Sequence, residues 1–280
     1  MITLLEVLEK STGFLEQRGV KDARLSAEWL LADSLGLKRL DLYLQFERPL
    51  QEMELVIIRE GVKRRSKREP LQYILGTTDF YGVTLKTDSR ALIPRPETEY
   101  LIELLHTRYL NREPTRILDL GTGSGAIAIA LLNAFPEATA VAVDTSAEAL
   151  ELASENAELA GVSDRVELTL SDWFETVDGT FELILANPPY LTDEEMETAE
   201  PEVAEFEPRQ ALHGGLDGLD DLKRIVDEGF SYLVNGGMLV LETGTAHHEV
   251  LMARAKTNGF TSMESVKDLD RRDRFLVGLR

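Results

Sequence analysis

The sequence has no cysteine among its 280 residues. That excludes disulfides, thiolate zinc centres and a cysteine nucleophile. No stretch approaches the roughly 18 apolar residues that a membrane span requires. Residues Met1 to Lys10 alternate polar and apolar side chains, with no basic segment leading into an apolar core. A soluble cytoplasmic protein is therefore expected, with no membrane partner. Positive charge is also scarce, with 30 Lys+Arg against 50 Asp+Glu for a net charge of −20. The deficit is uneven. Residues 1–75 hold 13 basic and 12 acidic side chains, whereas residues 76–280 hold 17 and 38. A body this acidic repels phosphate backbones, which argues against nucleic acid as the direct substrate. One basic run, Arg59, Lys63, Arg64, Arg65, Lys67 and Arg68, is either a local RNA-facing patch or a solvated helix end.

What is present suffices for a large core: 43% of the residues are hydrophobic. Residues 1–70 read as a small helical bundle. Leu4, Leu5, Leu8 and Leu15 recur at helical spacings, with further helices expected over 23–35 and 51–67, and Gly13, Gly19 and Gly36 are expected to punctuate helix ends. The bundle carries no nameable chemistry, and substrate docking is its expected role. Pro70 marks a boundary, and residues 71–93 alternate and contain glycines, as a β-hairpin linker does. Residues 94–280 form the larger domain. It opens on Ile93-Pro94-Arg95-Pro96-Glu97-Thr98-Glu99, where Pro and acids enter a helix. Arg95, held between two prolines, is placed to meet a carboxylate of a ligand or of the protein.

Strands over 116–120, 139–143, 166–170, 181–186 and 237–242 alternate with helices over 124–135, 146–160, 219–233 and 246–257. Such alternation predicts an α/β fold, a doubly wound, Rossmann-like parallel sheet covered on both faces. Two terminal strands, 260–266 and 274–279, lack a helix between them and should pair antiparallel, completing seven strands. The first strand runs into Gly121, Thr122, Gly123, Ser124 and Gly125, a loop that lets the backbone approach a ligand at a helix start. Gly121, Gly123 and Ala126 also satisfy a dinucleotide pattern. Asp144 ends the second strand, placed to accept from ribose hydroxyls, and Thr145 with Glu148 reads as a capping box. Asp172 is a candidate acceptor for an adenine amine, and Trp173 a candidate purine platform or core filler.

The tie between a nicotinamide and a sulfonium cofactor breaks at Asn187-Pro188-Pro189-Tyr190. It follows the apolar run 181–186. Two prolines cannot continue a sheet ladder, so the chain leaves the strand stiff and extended. Prolines bring carbonyl acceptors and no donors; Asn187 adds an amide oxygen and Tyr190 an aromatic face. Converging acceptors suit a planar –NH2 group. By contrast, His106, His213, His247 and His248 form no convincing proton relay or metal set, and no metal is expected. The acids between Asp193 and Glu207 form a lid, a face for a basic loop, or a solvated loop.

These motifs resemble the protein-(glutamine-N5) methyltransferases of the HemK/PrmC type, which act on release factors. The likeness rests on Gln72 to Gly76, Ile93 to Glu99, Asp119 to Gly125, Asn187 to Tyr190, Glu207-Pro208 with Ala211-Leu212, and Asp268-Leu269 with Arg272 to Arg274. It implies S-adenosyl-L-methionine on Gly121, Thr122, Gly123, Ser124, Gly125, Asp144, Trp173 and Asn187. It further implies a substrate glutamine on Asn187, Pro188, Pro189 and Tyr190, from the Gly-Gly-Gln motif of class I peptide chain release factors, with the enzyme a monomer. A ribosomal-protein glutamine is the nearest alternative substrate, and an adenine-N6 nucleic-acid methyltransferase a more distant one. Thr243 departs from the aliphatic residue commoner in relatives, which should alter packing only.

Overall fold

The computed structural model describes residues 2–109 and 113–280. The chain divides into two compact units, Met1–Gly76 with Glu200–Phe206, and Thr77–Ala199 with Glu207–Arg280.

The first unit is helical: α1 (Leu4–Gln17), α2 (Ala23–Leu35), α3 (Glu52–Arg65) and α4 (Leu71–Leu75), joined by a later segment, α9 (Pro201–Phe206). Thr3 and Glu6 close a capping box on α1, whose Leu4, Val7, Leu8, Ser11 and Leu15 are buried. Residues 71–75 are helical, not the start of a hairpin. Leu71, Ile74 and Leu75 pack on the bundle core at i, i+3 and i+4 spacing, which a five-residue run does not separate from alternation. The basic run is largely consumed within the unit. Arg65 and Arg68 both reach Glu202 at 2.7 Å, Arg64 pairs with Glu69 at 2.5 Å, and Arg59 with Glu52 at 2.9 Å.

The second unit opens on a hairpin, β1 (Thr77–Phe80) and β2 (Val83–Lys86). Its two-residue turn, Tyr81-Gly82, has φ of 46° and 77°, the doubly positive turn that matches strand twist. Then come α5 (Pro96–Arg108), β3 (Arg116–Leu120), α6 (Ala126–Ala134), β4 (Thr139–Asp144), α7 (Ala147–Ala160), β5 (Val166–Leu170) and β6 (Phe181–Ala186). After α8 (Asp193–Thr198), the unit finishes with α10 (Asp220–Tyr232), β7 (Leu233–Glu242), α11 (His248–Thr257), β8 (Ser262–Lys267) and β9 (Asp273–Leu279). The seven-stranded sheet runs β5-β4-β3-β6-β7-β9-β8, parallel through β7 and antiparallel at β9 and β8, as expected.

The strand interiors are apolar on both sides because both faces are covered. Leu183, Leu185 and Val240 join α5 and α6 in one core; Ile184, Ala186, Leu239 and Leu241 join α10 and α11 in the other. The strand order reverses between β3 and β6, which opens a crevice at their carboxyl ends. The acidic segment after the Pro-Pro exit is two short helices, α8 and α9, and the second belongs to the helical unit. Among the described residues, no helix is long and apolar enough to cross a membrane.

Candidate active site

The β3–α6 turn is built by glycines with φ of 69° (Gly121), 56° (Gly123) and 81° (Gly125). At Gly125 a Cβ would lie 3.1 Å from Ile129 Cδ1 and 3.2 Å from Ala153 Cβ, so the tight approach of loop, α6 and α7 needs glycine there. Helix α6 therefore starts at Ala126, two residues later than its apolar pattern suggests. Beneath the loop, Asp119 is fully buried. Its Oδ2 accepts from Thr122 Oγ1 at 2.7 Å and Ala128 N at 3.2 Å, and its Oδ1 has no partner among the described residues. Burial raises its pKa to about 6, against the lowering effect of those bonds.

Asp144, at the end of β4, accepts from Gly123 N and Ser146 N, both at 2.9 Å. The loop and the carboxylate thus fix one another. The cap of α7 is Ser146, which accepts from Ala149 N; Thr145 does not fill that role, because Asp144 anchors the chain one residue further on.

A cavity of about 260 Å³ lies at this end of the sheet. It gathers most of the expected residues: Gly121, Thr122, Gly123 and Ser124, Asp144, Asp172 and Trp173, Asn187 and Pro189, and Arg95. Gly125, Pro188 and Tyr190 are not on its wall. Among the described residues, neither the Asn187 side-chain amide nor the Pro188 carbonyl has a hydrogen-bond partner. Tyr190 is spoken for: its hydroxyl accepts from Arg274 Nη1 at 3.0 Å and its ring meets His247 edge-on. Burial pushes its phenol well above the usual value. The exit strand is pinned by Leu191 N to Leu212 O and Gly214 N to Leu191 O, both 2.9 Å.

Arg95 caps the start of α5 and binds a protein carboxylate, Glu207, at 2.6 Å; the same carboxylate takes Ile93 N at 3.1 Å. Glu207, absent from the expected site residues, is the anchor for this wall. Asp172 is exposed and bonded to Arg224 at 2.7 Å, whereas Trp173 donates its indole N–H to Asp221 at 3.0 Å. Phe80, Ser171, Gln210 and Asp221 also line the cavity; of these only Gln210 lies within a motif the sequence shows, between Pro208 and Ala211.

These groups fit S-adenosylmethionine better than a dinucleotide. Arg90 is neutralised by Asp88 and Glu155, and Arg95 by Glu207. The lining is left with Asp144 and Asp221, acceptors suited to hydroxyls and an amine and poorly suited to a pyrophosphate.

The histidines have structural partners. His248 links Thr243 Oγ1 and Ser265 Oγ, each at 2.8 Å, and His247 accepts from Gly244 N. The hydroxyl of Thr243 is thus part of a buried polar chain from β7 through α11 to β8. Among the described residues, no group of three His, Asp or Glu side chains is arranged to hold a metal ion.

The PrmC N-terminal domain family matches residues 6–76, and the methyltransferase small domain family matches residues 96–205. A release factor glutamine methyltransferase from Geobacter sulfurreducens is 43% identical over 99% of this chain and 96% of its own. One from Rhodopirellula baltica is 37% identical over 98% and 95%. In solved structures, the sheet domain resembles a methyltransferase from Pyrococcus furiosus, with a TM-score of 0.53 at 20% identity over 71% of this chain and 89% of that one. It also resembles the hMettl16 catalytic domain, with a TM-score of 0.57 at 15% identity over 71% and 75%. Those two likenesses establish the methyltransferase fold. The full-length identities go further, and with both domain families in order the chain belongs to the release factor glutamine methyltransferases.

Proposed function

We propose that the chain methylates the side-chain amide nitrogen of the glutamine in the Gly-Gly-Gln motif of class I release factors, in the cytoplasm. The protein is the direct substrate, and nucleic acid takes no part in the reaction. One observation carries the reading. Asn187 sits on the cavity wall with its amide unbonded, next to a Pro-Pro pair that offers acceptors and no donors. S-adenosylmethionine, when bound, supplies an electrophilic methyl group on a sulfonium.

The rest falls to the protein. The backbone of Gly121 to Gly125 and the Asp144 carboxylate hold the nucleoside, and Trp173 flanks its base. Asn187 Oδ1 and the Pro188 carbonyl receive the two amide hydrogens of the substrate glutamine. A carboxamide nitrogen is a poor nucleophile because its lone pair is shared with the carbonyl. As it forms a new bond it becomes cationic and its hydrogens more acidic, so fixed acceptors stabilise that state more than the ground state, and one of those hydrogens then leaves to solvent as a proton to give the neutral methylated amide. At about 1.5–3 kcal/mol per charge-assisted bond, two acceptors supply roughly 3–6 kcal/mol. Alignment of the nucleophile supplies more. Tyr190, tied to Arg274, holds the turn at its far end.

The test is incubation with labelled S-adenosylmethionine and three substrates: intact release factor, release factor with that glutamine replaced by alanine, and ribosomal proteins. Mass spectrometry of the modified peptide should show one methyl on the glutamine of the intact factor alone. Label on a ribosomal protein, or retained after the replacement, overturns the reading.

A further inference from the structure

We infer that Asp221, rather than Asp172, sets up purine recognition: it fixes Trp173 as the platform and accepts from the amino edge of the base. The inference rests on the cofactor reading above and deepens it.

Trp173 adopts φ of +51°, a left-handed conformation that bulky side chains avoid. A strained residue persists only where its surroundings over-determine it. Here α10 grips the corner at three successive residues. Arg224 Nη1 donates to Asp172 Oδ1 at 2.7 Å and its Nη2 to the Asp172 carbonyl at 3.3 Å. Asp221 Oδ1 takes the Trp173 indole N–H at 3.0 Å. Tyr232 stacks on Phe174 at 4.6 Å. Ser171 Oγ donates to the Trp173 carbonyl at 3.1 Å from the strand side.

The result aims the indole across the glycine loop. A Cβ built on Gly121 would lie 3.3 Å from Trp173 Cζ3, so the ring rests against a bare backbone. A flat aromatic wall beside the loop is what a purine requires. Asp172 also lines the cavity, but it is exposed and its charge is matched by Arg224 through Oδ1, so the half-buried Asp221 is better suited to serve the base. Asp221 is half-buried and lines the cavity, and its Oδ2 has no hydrogen-bond partner among the described residues. One oxygen orients the tryptophan, and the other is left for an exocyclic amine.

The experiment measures binding of S-adenosylhomocysteine and its inosine counterpart, which has a carbonyl in place of the amine, by calorimetry. It uses the full chain with Trp29→Phe so that Trp173 is the only tryptophan reporter. The parent protein should prefer the adenosine form by about tenfold or more, the scale set by one unmatched buried polar group. Asp221→Asn keeps an oxygen for the indole but has none to spare, so Trp173 emission should be unchanged and the preference should fall below about threefold. Asp172→Asn should retain the preference. Asp221→Leu should red-shift Trp173 emission and weaken both ligands by about tenfold. An unaltered preference in Asp221→Asn, or its loss in Asp172→Asn instead, overturns the inference while leaving the methyltransferase reading in place. A parent protein that binds neither nucleoside overturns both.

Discussion

Asn187 leaves β6 with a side chain that bonds to nothing else among the described residues, and such freedom at a rigid turn carries an energetic signature. Asn187→Ala removes one acceptor that strengthens as charge develops. It should lower kcat/KM by about 2–4 kcal/mol, roughly 30- to 1,000-fold, while S-adenosylhomocysteine affinity barely changes. Steady-state kinetics beside calorimetry separates the two; equal losses in both would make Asn187 a cofactor ligand only. Asp119 poses the opposite case, a buried carboxylate with one oxygen unpaired. Burial raises its pKa to about 6, above the ordinary unfolded value of about 3.9. The folded state therefore holds the proton more tightly. That contribution to stability is full below about pH 3.9 and is lost as pH rises through about 6. Asp119→Asn cannot titrate, so wild-type stability minus variant stability should fall by on the order of 2–3 kcal/mol between pH 4 and 7. Urea unfolding followed by Trp173 emission in the Trp29→Phe background reads it, and a difference flat with pH would deny the raised pKa.

The turn after β6 depends on the loop that passes beside it at Gly214 as much as on its own prolines. A Cβ on Gly214 would come within 2.5 Å of Pro189 O and 2.7 Å of Tyr190 Cα, and backbone atoms cannot rotate away. Gly214→Ala should therefore displace the Pro-Pro exit. We expect kcat to drop by about tenfold to a hundredfold, with nucleoside binding within about threefold of wild type, since small misplacements of a reacting group are costly. A variant with normal kcat would show that the turn tolerates the shift. Gly214 also illustrates what a sequence conceals. The strands were legible because runs such as Phe181–Ala186 are buried on both faces, and the glycine turn because three glycines follow a strand. The exit of the chain from β6 at Asn187 was legible because two prolines leave a buried strand few alternatives. Leu71–Leu75 was misread because five residues support either period. The roles of Asp221 and Glu207 were hidden for another reason, although Glu207-Pro208 is itself one of the motifs the sequence shows. Each acts on a residue far along the chain, Trp173 and Arg95, so only the folded arrangement reveals the pairing.

Over the whole molecule, charge serves assembly of the chain more than attraction of a polyanion. The net charge is −20, and the one dense basic run sits in the helical unit. There Arg65 and Arg68 converge on Glu202, whose side chain is 17% exposed. Glu202 arrives from a segment 134 residues further along the chain than Arg68, so this pairing joins the two sequence pieces of that unit. Burial pushes the Glu202 carboxyl up, but the bonds from Arg68 and Arg65 outweigh it and hold it below the usual range. A depressed folded pKa contributes stability above the unfolded value of about 4.3, lost as pH falls through the folded value. Glu202→Gln leaves Arg65 without its counter-ion and Arg68 with Glu200 alone. It should destabilise the helical unit by about 2–4 kcal/mol at pH 7, less than a fully dry pair because some water remains. Trp29 emission during urea unfolding, in a Trp173→Phe background, reports on this unit. The gap between parent and variant should close as pH falls through the lowered folded pKa, below which the wild-type carboxylate is itself protonated. A gap of the same size in acid would mean that Glu202 acts through packing rather than charge. If the unit also docks the release factor, Glu202→Gln should raise KM for that protein more than it lowers kcat, because the cavity residues all lie outside it.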